Sequence, residues 1–468
     1  GSARPLWGLR VNRWLKVLEG RELLAASFVV VLGITVVLRS EHAVRELRFD
    51  QPEQYSALLR ARELMLNIHP GGRPFAFPAV IAVTSLLSSA DPMQVTRFLT
   101  PAIGVLVVLA AGLLLQVCAR RRVACLAAIY CLGAALPVAK HSQGMAISAT
   151  EKLESVFRSS LVATQTSPEF AFGLLFLLLA LAFLADWHCN SRGWDSLLDF
   201  ACCLLLTGIV SRLLLLLLVM TAGVLLLRPL AGLLVFVMQC FALVAIASLS
   251  THITIPDQMH SMLPVAAAIL VGCSLALIES KLVSRAGTRA ETMLLAACLC
   301  VASIWLRPQR LLGRCLEYEA AARATQQIAY GFPRQTWVVA APVEQLDETF
   351  GLGGHEDLAG FVDKYRGQVS SPEFRFPDAG KDLFIFVEKR PFQIFSREPE
   401  TVPFSALTDP TYRNYRSPGG RASLEAAALQ LCESYRQYHP NTDVFFEDDA
   451  LRIYHIHQRE TANLRAGE

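Results

Sequence analysis

The chain has 468 residues, 53% of them hydrophobic and 18% charged. That is too apolar for an ordinary soluble protein, in which about a quarter of residues are charged. The net charge of +3 is too small to argue for nucleic acid as a partner, and the basic residues sit mostly at the edges of apolar runs, where membrane topology explains them.

From Leu23 to Leu306 one hydrophobic run follows another, whereas Arg307 to Glu468 is ordinary globular text. The pattern predicts a polytopic α-helical membrane domain over 1–306, with 40–96 as its first outer loop, and a soluble extracytoplasmic α/β domain over 307–468. Residues 1–22 carry Arg4, Arg10, Arg13, Lys16 and Arg21, which places the N-terminus in the cytoplasm. Leu23–Leu38 is the first span, and with no cleavable signal peptide in evidence it is expected to stay as an anchor. Pro52–Leu66 reads as an amphipathic helix at the interface, and Phe75–Leu87 as a re-entrant or interfacial helix or a short span. Further spans are predicted over Phe98–Val117, Val123–Val138, Phe170–Ala185, Leu197–Val210, Leu213–Leu227, Leu230–Leu249, Leu263–Ile278 and Met293–Leu306, nine in all. This count puts Arg120-Arg121-Arg122, Arg228 and the Lys281/Arg285/Arg289 cluster on the inner face, as the positive-inside rule asks.

In the soluble domain, Ala320–Ala329 and Ser423–Tyr438 read as helices. Trp337–Ala341, Leu383–Glu388, Val444–Phe446 and Leu451–His455 read as strands, the last two forming a hairpin about Glu447-Asp448-Asp449. No Gly-rich phosphate loop, HExxH or GxSxG string is present. Of the 12 cysteines, most lie inside apolar runs and read as small core residues. Cys315 and Cys432 could pair if their domain is extracytoplasmic.

The polar residues that can carry chemistry cluster between the first two long apolar runs. Asp50 could accept a proton from a hydroxyl or help hold a metal, and it equally suits the cap of the helix that starts at Pro52. His69-Pro70-Gly71-Gly72-Arg73-Pro74 is a rigid turn before an apolar helix. Arg97, opening a span, can grip a lipid phosphate or snorkel to headgroups. Ser211-Arg212 lies between two apolar runs at an outer hairpin. His252, Asp257 and His260 share one loop, whose spacing could ligate a metal or mean nothing. His455 and His457 alternate in strand period and read as a solvated strand face.

Taken together, residues 1–230 resemble the GT-C class of integral-membrane glycosyltransferases, in particular the branch of protein O-mannosyltransferases and lipid A aminoarabinose transferases. The residues that carry the resemblance are Asp50 with Glu53 and Tyr55, His69-Pro70 with Arg73 and Pro74, Asp91-Pro92, Arg97, and Ser211-Arg212 before a Leu-rich span. It implies a GT-C-like bundle in a bacterial-type inner membrane. That bundle would move a sugar from a polyprenyl-phosphate donor to an extracytoplasmic acceptor. Asp50 and Glu53 would be the catalytic acids, and Tyr55, His69, Arg73, Arg97 and Arg212 would bind substrate. No cofactor is firmly implied, and a divalent metal stays open. The sequence departs from the family where its acidic pair is Asp50-Gln51 and its Pro-Pro element is Pro70-Gly71. The alternative is therefore a catalytically inactive GT-C-like subunit that scaffolds membrane protein partners through its C-terminal domain.

Overall fold

The computed structural model describes residues 20–49, 52–68, 76–133, 136–137, 168–191, 194–249, 262–286, 294, 297–298, 306–307, 317–377, 380–392, 418–440 and 442–458. Helices run over Gly20–Arg45 (α1), Pro52–Met65 (α2), Ala76–Ser88 (α3), Pro92–Ala119 (α4), Arg122–Gly133 (α5), Pro168–Asp186 (α6) and Trp194–Val210 (α7). They continue over Arg212–Leu227 (α8), Pro229–Leu249 (α9), Met262–Ala286 (α10), Glu319–Gly331 (α11), Val343–Thr349 (α12), Leu358–Tyr365 (α13) and Pro418–Tyr438 (α14). The strands are Leu136–Pro137 (β1), Leu306–Arg307 (β2), Trp337–Ala341 (β3), Gly354–Asp357 (β4), Asp382–Glu388 (β5), Asp443–Glu447 (β6) and Leu451–His457 (β7). The chain divides into two compact units, one of residues 1–41 and 99–312, the other of 42–98 and 313–468.

The first unit is helical. Among the described residues four helices are long and apolar enough to cross a membrane: Ala25–Arg45 in α1, Pro92–Ala119, Pro168–Cys189 and Met262–Leu282. Also apolar but shorter are α5, α8 and the Pro229–Leu243 part of α9, together with α3 of the second unit. Eight of the predicted spans coincide wholly or in part with α1 and α4–α10, and Met293–Leu306 lies almost wholly outside the described residues. α6 is apolar on every side and correspondingly enclosed, packing on α7 and α8. α9 packs on α8 and α10, and α10 on α5. Gly232 makes the α8–α9 approach feasible, because a Cβ there would meet the Leu225 backbone at 2.6 Å.

α5 has 12 residues, about 18 Å of helix against a hydrocarbon core of about 30 Å. Each of its ends is met by a charged side chain. Glu279 is fully buried and accepts the Ala124 N–H at 3.3 Å. Arg39, also buried, donates to the Leu132 carbonyl at 3.0 Å. An acid at the helix start and a base at its end both complement the helix dipole. An apolar cavity of about 420 Å³ lies alongside, lined by Phe28, Leu106, Leu109, Leu113, Ile129 and Leu179.

The second unit is a three-layer α/β arrangement. Its five-stranded mixed sheet has the order β4-β3-β5-β7-β6. β3 pairs in parallel with β4 and β5, and β5–β7–β6 is antiparallel. β5 is buried at all seven positions, which is why its text, DLFIFVE, reads as an almost continuous apolar run. Its side chains alternate between two cores. Leu383, Ile385 and Val387 pack with α13 and α14 through Phe361, Tyr365, Leu431 and Tyr435. Phe384 and Phe386 pack on the other face with Trp337, Ile453 and the Ala321–Ile328 side of α11. The predicted strands and hairpin are present, joined by α12, β4 and α13.

Candidate functional site

Helix α2 is built into the second unit. Pro52 opens it, where a missing N–H does no harm. Tyr55 and Leu58, on its apolar face, are fully buried with Phe49 and Met93. The chain just before the helix is tied down as well. The Leu47 and Arg48 N–H groups donate to Glu319 at 2.9 and 3.2 Å, and the Arg48 guanidinium donates to the Glu317 carbonyl at 2.9 Å.

A buried polar cluster then forms along α2. The Tyr55 hydroxyl donates to Glu317 at 2.5 Å, and the Gln345 amide donates to the other Glu317 oxygen. About two turns further on, Arg62 donates to the Glu348 carbonyl and lies 3.4 Å from that of Phe350. Arg62 thus satisfies the C-terminal end of α12, with Asp91 at 3.5 Å on its other side. The Glu348 side chain is fully enclosed beside Glu317. Burial first, and then the Glu317 charge, push the Glu348 carboxyl well above the usual carboxylate range. Glu348 therefore keeps its proton to higher pH than a free carboxyl does.

Of the residues singled out from the sequence, Asp50, His69 and Arg73 lie outside the described residues, as do His252, Asp257, His260 and Cys315. Glu53 is half-buried on the first turn of α2, and Tyr55 lies beneath it in the cluster. Arg97 stands one helical turn beyond Met93, which packs against Tyr55 and Leu58. Its guanidinium lies 4.8 Å from the Phe98 ring centroid, and its Nε is buried with no hydrogen-bond partner among the described residues. Arg212 belongs to the first unit, where it is exposed at the start of α8 behind a Ser211 cap that accepts the Leu214 N–H. The second unit also holds an open cleft of about 670 Å³, lined by Arg48, Tyr318, Glu319, Arg323, Gln327 and Asp448.

Sequence reasoning misses Glu317, Gln345 and Glu348, whose role exists only through contacts with a helix more than 250 residues earlier. It also misses Asp382. That carboxylate starts β5 directly opposite His457 on β7, and one of its oxygens lies 2.9 Å from His457 Nδ1 and 2.7 Å from His455 Nε2. Burial alone would raise the Asp382 carboxyl, but the two imidazole hydrogen bonds outweigh it and hold it below its usual value. His455 is not on a solvated strand face. Its ring stacks on Phe384 with centroids 4.6 Å apart and meets the edge of Phe332, while His457 stays exposed. The signal in the sequence was a His-x-His in strand period, and its third member could not be placed without the strand register.

No family model matches the chain, and no curated protein matches it. Among solved structures it is similar to the Archaeoglobus fulgidus oligosaccharyltransferase, crystallised in complex with Zn and sulfate. That likeness covers 77% of this chain and 67% of that one, at 12% identity and a TM-score of 0.34.

Proposed function

We propose that the protein is a GT-C-type membrane glycosyltransferase of a bacterial-type inner membrane. It would move a sugar from a polyprenyl-phosphate donor to an extracytoplasmic acceptor. The observation that carries this reading is Arg97. A guanidinium at the start of a long apolar helix, with one buried N–H that no acceptor among the described residues meets, is suited to a phosphate oxygen. In the reaction, the acceptor hydroxyl attacks the anomeric carbon and gives its proton to Asp50. The bond from that carbon to phosphate breaks, and the lipid phosphate leaves with one more negative charge. Arg97 would neutralise the charge that develops there. Glu53 would assist Asp50, and His69 and Arg73 would shape the loop over the donor. Tyr55 acts through Glu317 by fixing α2, and the apolar cavity beside α4 suits a lipid tail. No step is assigned to a divalent metal.

The test is turnover of labelled polyprenyl-phosphate sugars by purified protein in lipid. Wild type should transfer or release sugar, and Asp50→Asn and Arg97→Gln should lose this while remaining folded. Turnover retained in both variants removes this site from the mechanism. A second reading is the inactive scaffolding subunit. It is favoured by the way Tyr55 and Arg62 of α2 are occupied by internal contacts. Stoichiometric protein partners on purification, with no turnover of any donor, would establish it.

A further inference from the structure

We propose that Asp382, His455 and His457 bind a divalent transition metal, of the Zn²⁺ class by their donors, at the end of the sheet in the second unit. The inference is independent of the transferase reading. The three side chains come from two adjacent antiparallel strands in fixed register, Asp382 facing His457 across the β5–β7 pair. Their donor atoms all lie within 4.8 Å of one another. A tetrahedral ion with bonds of about 2.0–2.1 Å spaces its donors about 3.3 Å apart. The His–Asp separations of 2.7 and 2.9 Å therefore need to open by only about half an ångström, within reach of small χ rotations.

Two further features make this a prepared site rather than a chance pair of hydrogen bonds. The His455 ring cannot turn freely, because Phe384 lies flat against it at an interplanar angle of 4° and Phe332 closes its other approach. The strand end is also fixed: Gln458 donates to the Phe376 carbonyl and accepts the Phe376 N–H. Two imidazoles and one carboxylate are the donor set that zinc takes with a fourth position open. His457 is 61% exposed, so that position faces solvent, where water or an anionic oxygen would fill it. Asp443, on β6 and paired with His455, is a second acid on the same face of the sheet. Occupied, the site would clamp the last strand to the centre of the sheet.

The experiment uses the full chain without an affinity tag, stripped with chelator and titrated with Zn²⁺, Co²⁺, Mg²⁺ and Ca²⁺. We expect one Zn²⁺ per chain at this site, a visible ligand-field spectrum with Co²⁺, and no comparable binding of Mg²⁺ or Ca²⁺. Affinity should fall roughly hundredfold or more in His457→Ala, whose exposed side chain leaves the fold intact, and in the isosteric Asp382→Asn. Zn²⁺ should raise the melting temperature of wild type but not of either variant. Absence of Zn²⁺ binding by folded wild type overturns the proposal, and so does binding that neither substitution weakens.

Discussion

The hydroxyl of Tyr55 donates to the carboxylate of Glu317 at 2.5 Å, joining residues 262 apart in sequence inside one buried cluster. With Gln345 on the other carboxylate oxygen, this bond seats α2 against the C-terminal part of its unit. Tyr55→Phe keeps the ring packing against Phe49 and Met93 but removes one donor from a buried carboxylate. We expect a loss of about 1–3 kcal/mol, read as a lower melting temperature in detergent. An unchanged melting temperature would show that the bond does not seat the helix.

Glu348 gives the same cluster a pH dependence. In the unfolded chain its carboxyl titrates near 4.5, and in the folded protein burial and Glu317 raise it. Above pH 4.5 the folded state holds a proton that the unfolded chain has released, so stability is full below that point and is lost as pH rises toward the folded value. Glu348→Gln removes the titration. Its melting temperature relative to wild type should therefore climb as pH rises above 4.5. A difference that stays constant over this range would contradict the assignment.

How far the sequence reaches is clear from two stretches. DLFIFVE announces β5 because a central strand buried on both faces must be apolar throughout. GHED, which forms β4, announces nothing, because a short polar edge strand exists through its pairing with β3. The same limit applies to the candidate site. Glu53, Tyr55 and Arg97 are visible as unusual polar residues near apolar runs. That Tyr55 would bond Glu317, or Arg62 close the end of α12, depends on long-range packing that no local pattern encodes. Helix bounds were legible for α8 and α9, each within one residue of its predicted run, but not for α5, which stops at Gly133, short of the predicted Val138.

The polar caps on α5 make a prediction for the helical unit. Arg39→Leu should leave the Leu132 carbonyl without its charged donor, a loss of about 1.5–3 kcal/mol. Glu279→Gln preserves an acceptor for Ala124 and should be milder than Glu279→Leu. Unfolding of the three variants in detergent gives the ranking. If Glu279→Leu proves as stable as Glu279→Gln, the acid does not hold the start of α5.

In the α/β unit the ion pair between Arg421 and Glu388 offers the sharpest test of buried electrostatics. Arg421 Nε and Nη2 reach the two Glu388 oxygens at 2.8 and 2.7 Å, with the side chains 1% and 5% exposed. The pair joins the first turn of α14 to the end of β5, and Glu388 also accepts the Phe392 N–H at 2.8 Å. Two parallel bonds fix the angle between helix and strand as well as their contact. Removing only the cation, in Arg421→Met, leaves a buried carboxylate without its counter-charge and should cost about 3–5 kcal/mol. Adding Glu388→Gln removes that charge while keeping an acceptor for Phe392, so the double variant should be more stable than Arg421→Met alone. Unfolding of the two single variants and the double completes the cycle. A double variant that loses the sum of the two single losses would mean that the residues do not act as a pair.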